Sequence, residues 1–110
     1  MKGSTIGELE ELVLLTVGSL YEGAYAVSIL EVIKENTNRV LDVTAIHAVL
    51  RRLEFKGFVK SSMGGATRER GGRRKRFFLL TQAGRQTLDD VMAVRTNLYS
   101  KIPKLTFSKI

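Results

Sequence analysis

Apolar residues recur at helical spacing in four stretches of the chain, and two shorter, strand-like runs separate the third stretch from the fourth. In residues 8–20, ELEELVLLTVGSL, Leu9, Leu12, Val13, Val17 and Leu20 follow the helical period, and Leu14 and Leu15 widen the stripe beyond one face. A helix this apolar is expected to be contacted on two sides, by its own core and by a candidate partner subunit. Glu8, Glu10 and Glu11 crowd its first turn, where acids meet the positive end of the helix dipole. The short connector YEGAY (21–25) is expected to turn at Gly23. The stretch AVSILEVIKENTN then repeats the pattern with Ala26, Ile29, Leu30 and Ile33, and Asn36, Thr37 and Asn38 close it. RVLDV (39–43) is too short for a helix and β-branched enough for one brief strand.

Asp42 suits the N-cap of the third helix. Ile46, Val49, Leu50 and Leu53 fall at i, i+3, i+4 and i+7 and define its buried stripe. The other face carries Thr44, Ala45, His47, Ala48, Arg51 and Arg52. Gly57 is the expected left-handed stop. FVKSS (58–62) and RFFLLT (76–81) read as strands, and the residues between them hold Gly64, Gly65, Gly71 and Gly72, too many for a helix. Two strands with such a connection make a hairpin that leaves the protein body. Thr81 can cap a fourth helix over 82–102, with Leu88, Val91, Met92, Leu98, Tyr99 and Ile102 on one broad side, and Pro103 stops it.

The pattern predicts an α+β, mostly α fold: a winged helix-turn-helix with a three-helix core, a β-hairpin wing and an added C-terminal helix. As a single structural unit it divides into residues 1–81, the helix at 82–102, and a tail at 103–110 with no assigned structure.

Charge changes the picture more than composition does. In 110 residues the net charge is +7, and RERGGRRKR (68–76) sets Arg68, Arg70, Arg73, Arg74, Lys75 and Arg76 against the single acid Glu69. Like charges crowded in one loop repel one another in a compact state, so the simplest reason for them is a polyanion opposite. Arg68, Arg70, Arg73, Arg74 and Lys75 are therefore candidate phosphate contacts, which bind any sequence and release counterions. Small residues at the leading end of the third helix, with arginines further along, suit entry into a major groove about 12 Å wide. Thr44, Ala45, His47 and Ala48 are candidate base contacts, with Arg51 and Arg52 beside them.

The remaining inventory is mostly exclusion. There is no cysteine, so disulfides and thiolate metal sites are ruled out, and a lone histidine makes no metal site. No nucleophile elbow or phosphate-binding glycine motif appears, and Asp89 and Asp90, adjacent on a helix, point in different directions. Enzymatic activity is not expected, nor is a cofactor. No apolar run reaches the roughly 20 residues of a membrane span. The N-terminus places acids where a signal peptide has its apolar core. A cytoplasmic protein without membrane association is expected.

Three pieces, IGELEELVLL, LRRLEFKGFV and RGGRRKRFFLLTQAGRQTL, carry a resemblance to the PadR-like family of bacterial transcriptional regulators over about residues 6–90. Two positions depart from the family pattern: His47 stands where a tyrosine is usual, and Ala26 follows Tyr25 where glycine is common. With only one helix and a tail after the wing, the chain looks like the compact branch of the family. The resemblance implies a homodimeric DNA-binding repressor. Its third helix enters the major groove of double-stranded DNA, its wing contacts the backbone or the minor groove, and its C-terminal helix drives dimerisation. Leu88, Val91, Met92, Arg95, Leu98, Tyr99 and Ile102 are then the candidate dimer interface, and two recognition helices about 34 Å apart would match a palindromic operator. The competing readings are a winged-helix module that holds another protein through its apolar first and last helices, and a non-specific nucleic-acid binder. A small-molecule effector finds little support in a C-terminal region whose aromatic residues are Tyr99 and Phe107.

Overall fold

A computed structural model describes residues 6–64 and 74–104. Its elements run α1 (Glu8–Leu20), a 3-10 turn (Tyr21–Gly23), α2 (Ala26–Asn36), α3 (Val43–Phe55), β1 (Val59–Met63), β2 (Arg76–Leu80) and α4 (Gln82–Ser100). The four expected helices and the hairpin are all present. β1 and β2 pair antiparallel, with Val59 opposite Leu80 and Met63 opposite Arg76.

Each helix begins where local chemistry supplies a cap. Asp42 accepts from the Ala45 N–H at 3.0 Å, and Thr81 accepts from the Gly84 N–H at 3.0 Å. Gly7 cannot cap α1, so Glu10 reaches back and accepts from the Gly7 N–H at 2.8 Å. α3 ends in a Schellman motif: Phe58 N–H bonds the Leu53 carbonyl, Gly57 N–H bonds that of Glu54, and Gly57 adopts φ +83°.

The core is the meeting of the predicted stripes. Val13, Leu14 and Val17 of α1 pack with Ile29 and Ile33 of α2 and with Ile46, Val49, Leu50 and Leu53 of α3. Phe58, Val59 and Phe78 seal it from the wing side, and Leu88 from α4. α4 is docked tightly at its start. Thr81 donates to the Gly57 carbonyl at 2.6 Å, and a Cβ on Gly84 would lie 2.1 Å from the Phe58 carbonyl oxygen.

Three local expectations are corrected. Residues 39–42 form no strand; the edge of β2 is met instead at Ala24, whose carbonyl accepts from the Phe78 N–H at 2.9 Å. An extended segment becomes a strand only where a free edge lies beside it. Phe58 belongs to the helix stop rather than to β1, which runs one residue further than expected, to Met63. The positive φ of the 21–25 connector falls at Tyr21 (φ +53°), not at Gly23.

Candidate nucleic-acid interface

Thr44, His47, Arg51 and Glu54 recur at i, i+3, i+7 and i+10 on α3, so they form one stripe opposite the buried one. All four are exposed, while Ala45 and Ala48 beside them are half-buried. The small residues at the leading end leave the helix backbone open to close approach, and Arg51 has no carboxylate partner among the described residues.

Glu54 closes the far end of the stripe and joins it to the wing. Its Oε2 accepts from the Ser61 hydroxyl at 2.7 Å, and Ser61 Oγ accepts from Arg76 Nη1 at 2.9 Å. Ser61 can serve because β1 alternates: Val59, Ser61 and Met63 share the hairpin face that carries Phe78 and Arg76 on β2. The outward stripe of α3 and the root of the wing are therefore one continuous surface.

Arg52 is also engaged within the chain. It lies on the flank of α3 and binds Glu10 of α1, Nε to Oε2 at 3.1 Å, while Lys56 Nζ reaches the same carboxylate at 3.0 Å. Glu10 is only 7% exposed. Burial alone would push its carboxyl up, but the Gly7 N–H, the Lys56 ammonium and the Arg52 guanidinium outweigh that and hold it below its ordinary value of 4.5. This buried anion takes two nearby cations, Arg52 near the end of α3 and Lys56 just past it. Helical spacing places Arg51 and Arg52 side by side; only the packing of α1 against α3 gives Arg52 a carboxylate partner.

On the wing, Arg74, Lys75 and Arg76 are exposed. Arg68, Arg70 and Arg73, the other candidate phosphate contacts, lie outside the described residues. Lys75 Nζ sits 4.3 Å from the centre of the Tyr25 ring, and Tyr25 meets Phe77 edge to face at 5.5 Å between centroids. Spacing along the chain offers no hint of this contact, since Tyr25 sits 50 residues before Lys75.

The candidate dimer residues divide into two groups. Leu88 is buried in the chain's own core and so is not an exposed contact, and Val91 is half-buried. Arg95 is engaged within the chain in a two-pronged pair with Glu11 of α1, Nη2 to Oε1 at 2.8 Å and Nε to Oε2 at 3.1 Å. That carboxylate raises the guanidinium's pKa further above its ordinary value. Met92, Leu98, Tyr99 and Ile102 are exposed, and Arg95, Thr96, Leu98, Tyr99 and Ile102 line an open groove.

Among the described residues no cluster of three or more His, Asp or Glu could hold a metal ion, and no helix is long and apolar enough to cross a membrane.

No family model matches the sequence, and no curated protein matches it. Solved structures do. A PadR family transcription regulator from hypervirulent Clostridium difficile superposes with a TM-score of 0.72 at 20% identity, covering 86% of this chain and 93% of that one. A PadR family transcriptional regulator from Eggerthella lenta gives 0.64 at 23% identity over 84% and 80% of the two chains. A PadR-like transcriptional regulator from Bacillus cereus gives 0.62 at 14% identity over 86% and 93%. At this level of identity the likeness is one of architecture: the chain has the winged-helix fold of PadR-family transcription regulators.

Proposed function

We propose that this protein is a sequence-specific, DNA-binding transcriptional regulator that acts as a homodimer in the cytoplasm. Residues 1–81 bind DNA and the helix at 82–102 dimerises. The observation that carries the reading is the continuous surface made by the outward stripe of α3 and the basic root of the wing, joined through Glu54, Ser61 and Arg76. In this reading α3 lies in the major groove with Thr44, Ala45, His47 and Ala48 against base edges and Arg51 alongside. Arg68, Arg70, Arg73, Arg74 and Lys75 neutralise phosphates on the flank. The regulators that share the fold support this assignment. Repression follows if the operator overlaps a promoter and its occupancy excludes polymerase. Binding needs no cofactor.

Dimerisation is supported by the exposed row Met92, Leu98, Tyr99 and Ile102, which a monomer would leave in water. Selection of bound fragments from a random double-stranded pool, repeated at low and raised salt, tests the function. The expected result is a palindromic preference that survives the rise in salt with reduced overall affinity. Loss of all sequences together would reduce the protein to a non-specific binder. Absence of any binding, with a second protein copurifying through α1 and α4, would replace the reading by that of an interaction module.

A further inference from the structure

Among the described residues, the wing carries Gly64 beyond β1 and Arg74 and Lys75 ahead of β2. Lys75 has no carboxylate partner among the described residues. Its ammonium lies instead over the face of Tyr25, 4.3 Å from the ring centre. A lysine side chain left to itself samples many rotamers, and a cation held over an aromatic face samples few.

The residue that holds it is itself fixed, by backbone hydrogen bonds on either side and by one ring contact. Its backbone is the N-cap of α2, with the Tyr25 N–H donating to Ser28 Oγ at 3.0 Å and the Ser28 hydroxyl donating to the Gly23 carbonyl at 2.7 Å. One residue back, the Ala24 carbonyl accepts from the Phe78 N–H of β2. The Phe77 ring meets Tyr25 edge to face at an interplanar angle of 77°. Phe77 in turn lies so close over Gly64 that a Cβ there would fall 2.5 Å from its ring, and the Gly64 N–H bonds the Lys75 carbonyl at 2.6 Å. Gly64, Phe77, Tyr25 and Lys75 thus form one stacked column across the base of the wing, anchored on α2.

We infer that Tyr25 is a positioning residue for DNA binding: it holds the Lys75 ammonium in place at the wing root, so that the cation is ordered before a phosphate arrives. The inference rests on the proposed DNA-binding function and adds to it a residue of α2 that need not touch DNA. Tyr25 acts only through Lys75, and this makes the claim separable from a general contribution to folding.

The test is a double-mutant cycle on affinity for a bound DNA fragment, with thermal unfolding followed in parallel. Tyr25→Leu is expected to weaken binding about two- to fivefold, the size of an exposed cation–π contact. The same substitution in a Lys75→Gln background is expected to change affinity no further, and Tyr25→Phe, which keeps the ring face, is expected to bind like the wild type. A purely structural tyrosine would lower affinity as much with Lys75→Gln as without it, and that additivity would overturn the inference. Equal loss in Tyr25→Phe and Tyr25→Leu would overturn it as well, by assigning the effect to the hydroxyl. Failure of the wild type to bind any DNA would overturn the DNA-binding reading and the inference together, whereas additive losses in a protein that does bind would overturn the inference alone.

Discussion

Glu10 occupies a place where a carboxylate is costly unless fully partnered, and it has three partners on two elements. With its folded-state pKa below the ordinary value of 4.5, the native state binds fewer protons than the unfolded chain just below that pH. The stability it contributes is therefore present above the ordinary carboxylate range and lost as pH falls through the folded value. Glu10→Gln is expected to be less stable than the wild type at neutral pH, by about 1–3 kcal/mol for a buried, charge-assisted site. The gap should close on acidification below pH 4.5, and a gap unchanged down to pH 3 in urea unfolding would remove Glu10 from this role. Gly84 is a second residue whose identity is imposed by a neighbour. Its Cα faces the Phe58 carbonyl, so Gly84→Ala must push α4 away from the end of α3. A loss of about 1–3 kcal/mol is expected, the usual cost of overpacking. An unchanged unfolding midpoint would show that the junction yields freely.

Among elements, α3 carries adjacent arginines in two different settings. Arg51 is on the outward stripe and Arg52 on the flank bound to Glu10. Arg51→Ala is expected to leave thermal stability unchanged and weaken DNA binding by about 1–3 kcal/mol if it reaches a base edge. Arg52→Ala is expected to lower stability slightly, by less than about 1 kcal/mol for a partly exposed ion pair, with a smaller effect on affinity. Reversal of that order, in paired melting and DNA-retardation measurements, would turn the recognition face of α3 by one position. The wing shows a similar division. Its inner face, Val59, Phe78 and Leu80, belongs to the core region, while Ser61 and Arg76 on the same face tie it to α3. Packing and aiming of the hairpin come from one alternation of side chains.

At the scale of the molecule, α4 runs on past Leu88, its last buried residue, with a row of exposed apolar residues, and the described residues span 58 Å in their longest direction. Arg95 and Glu11 clasp the helix to α1, which sets the direction in which that row points. Leu98→Asp is expected to give a monomer in light scattering and to lose most operator affinity, because two half-sites would then be bound independently. A dimer that persists would place the interface on another face, with the exposed side of α1 near Leu15 the next candidate.

The four helices, the hairpin, the caps at Asp42 and Thr81 and the stop at Gly57 were legible in the sequence, because each rests on periodicity or on a single residue's local chemistry. So was the basic wing, since charge needs no fold to be counted. Tertiary packing alone decided that Ala24 rather than residues 39–42 meets the edge of β2, that Arg52 and Arg95 serve acids of α1, that Leu88 is core, and that Tyr25 shelters Lys75. Each of these pairs residues far apart in the chain, and a one-dimensional pattern records which residue types recur but not which distant backbone, ring or carboxylate the fold brings within 3 to 5 Å of them.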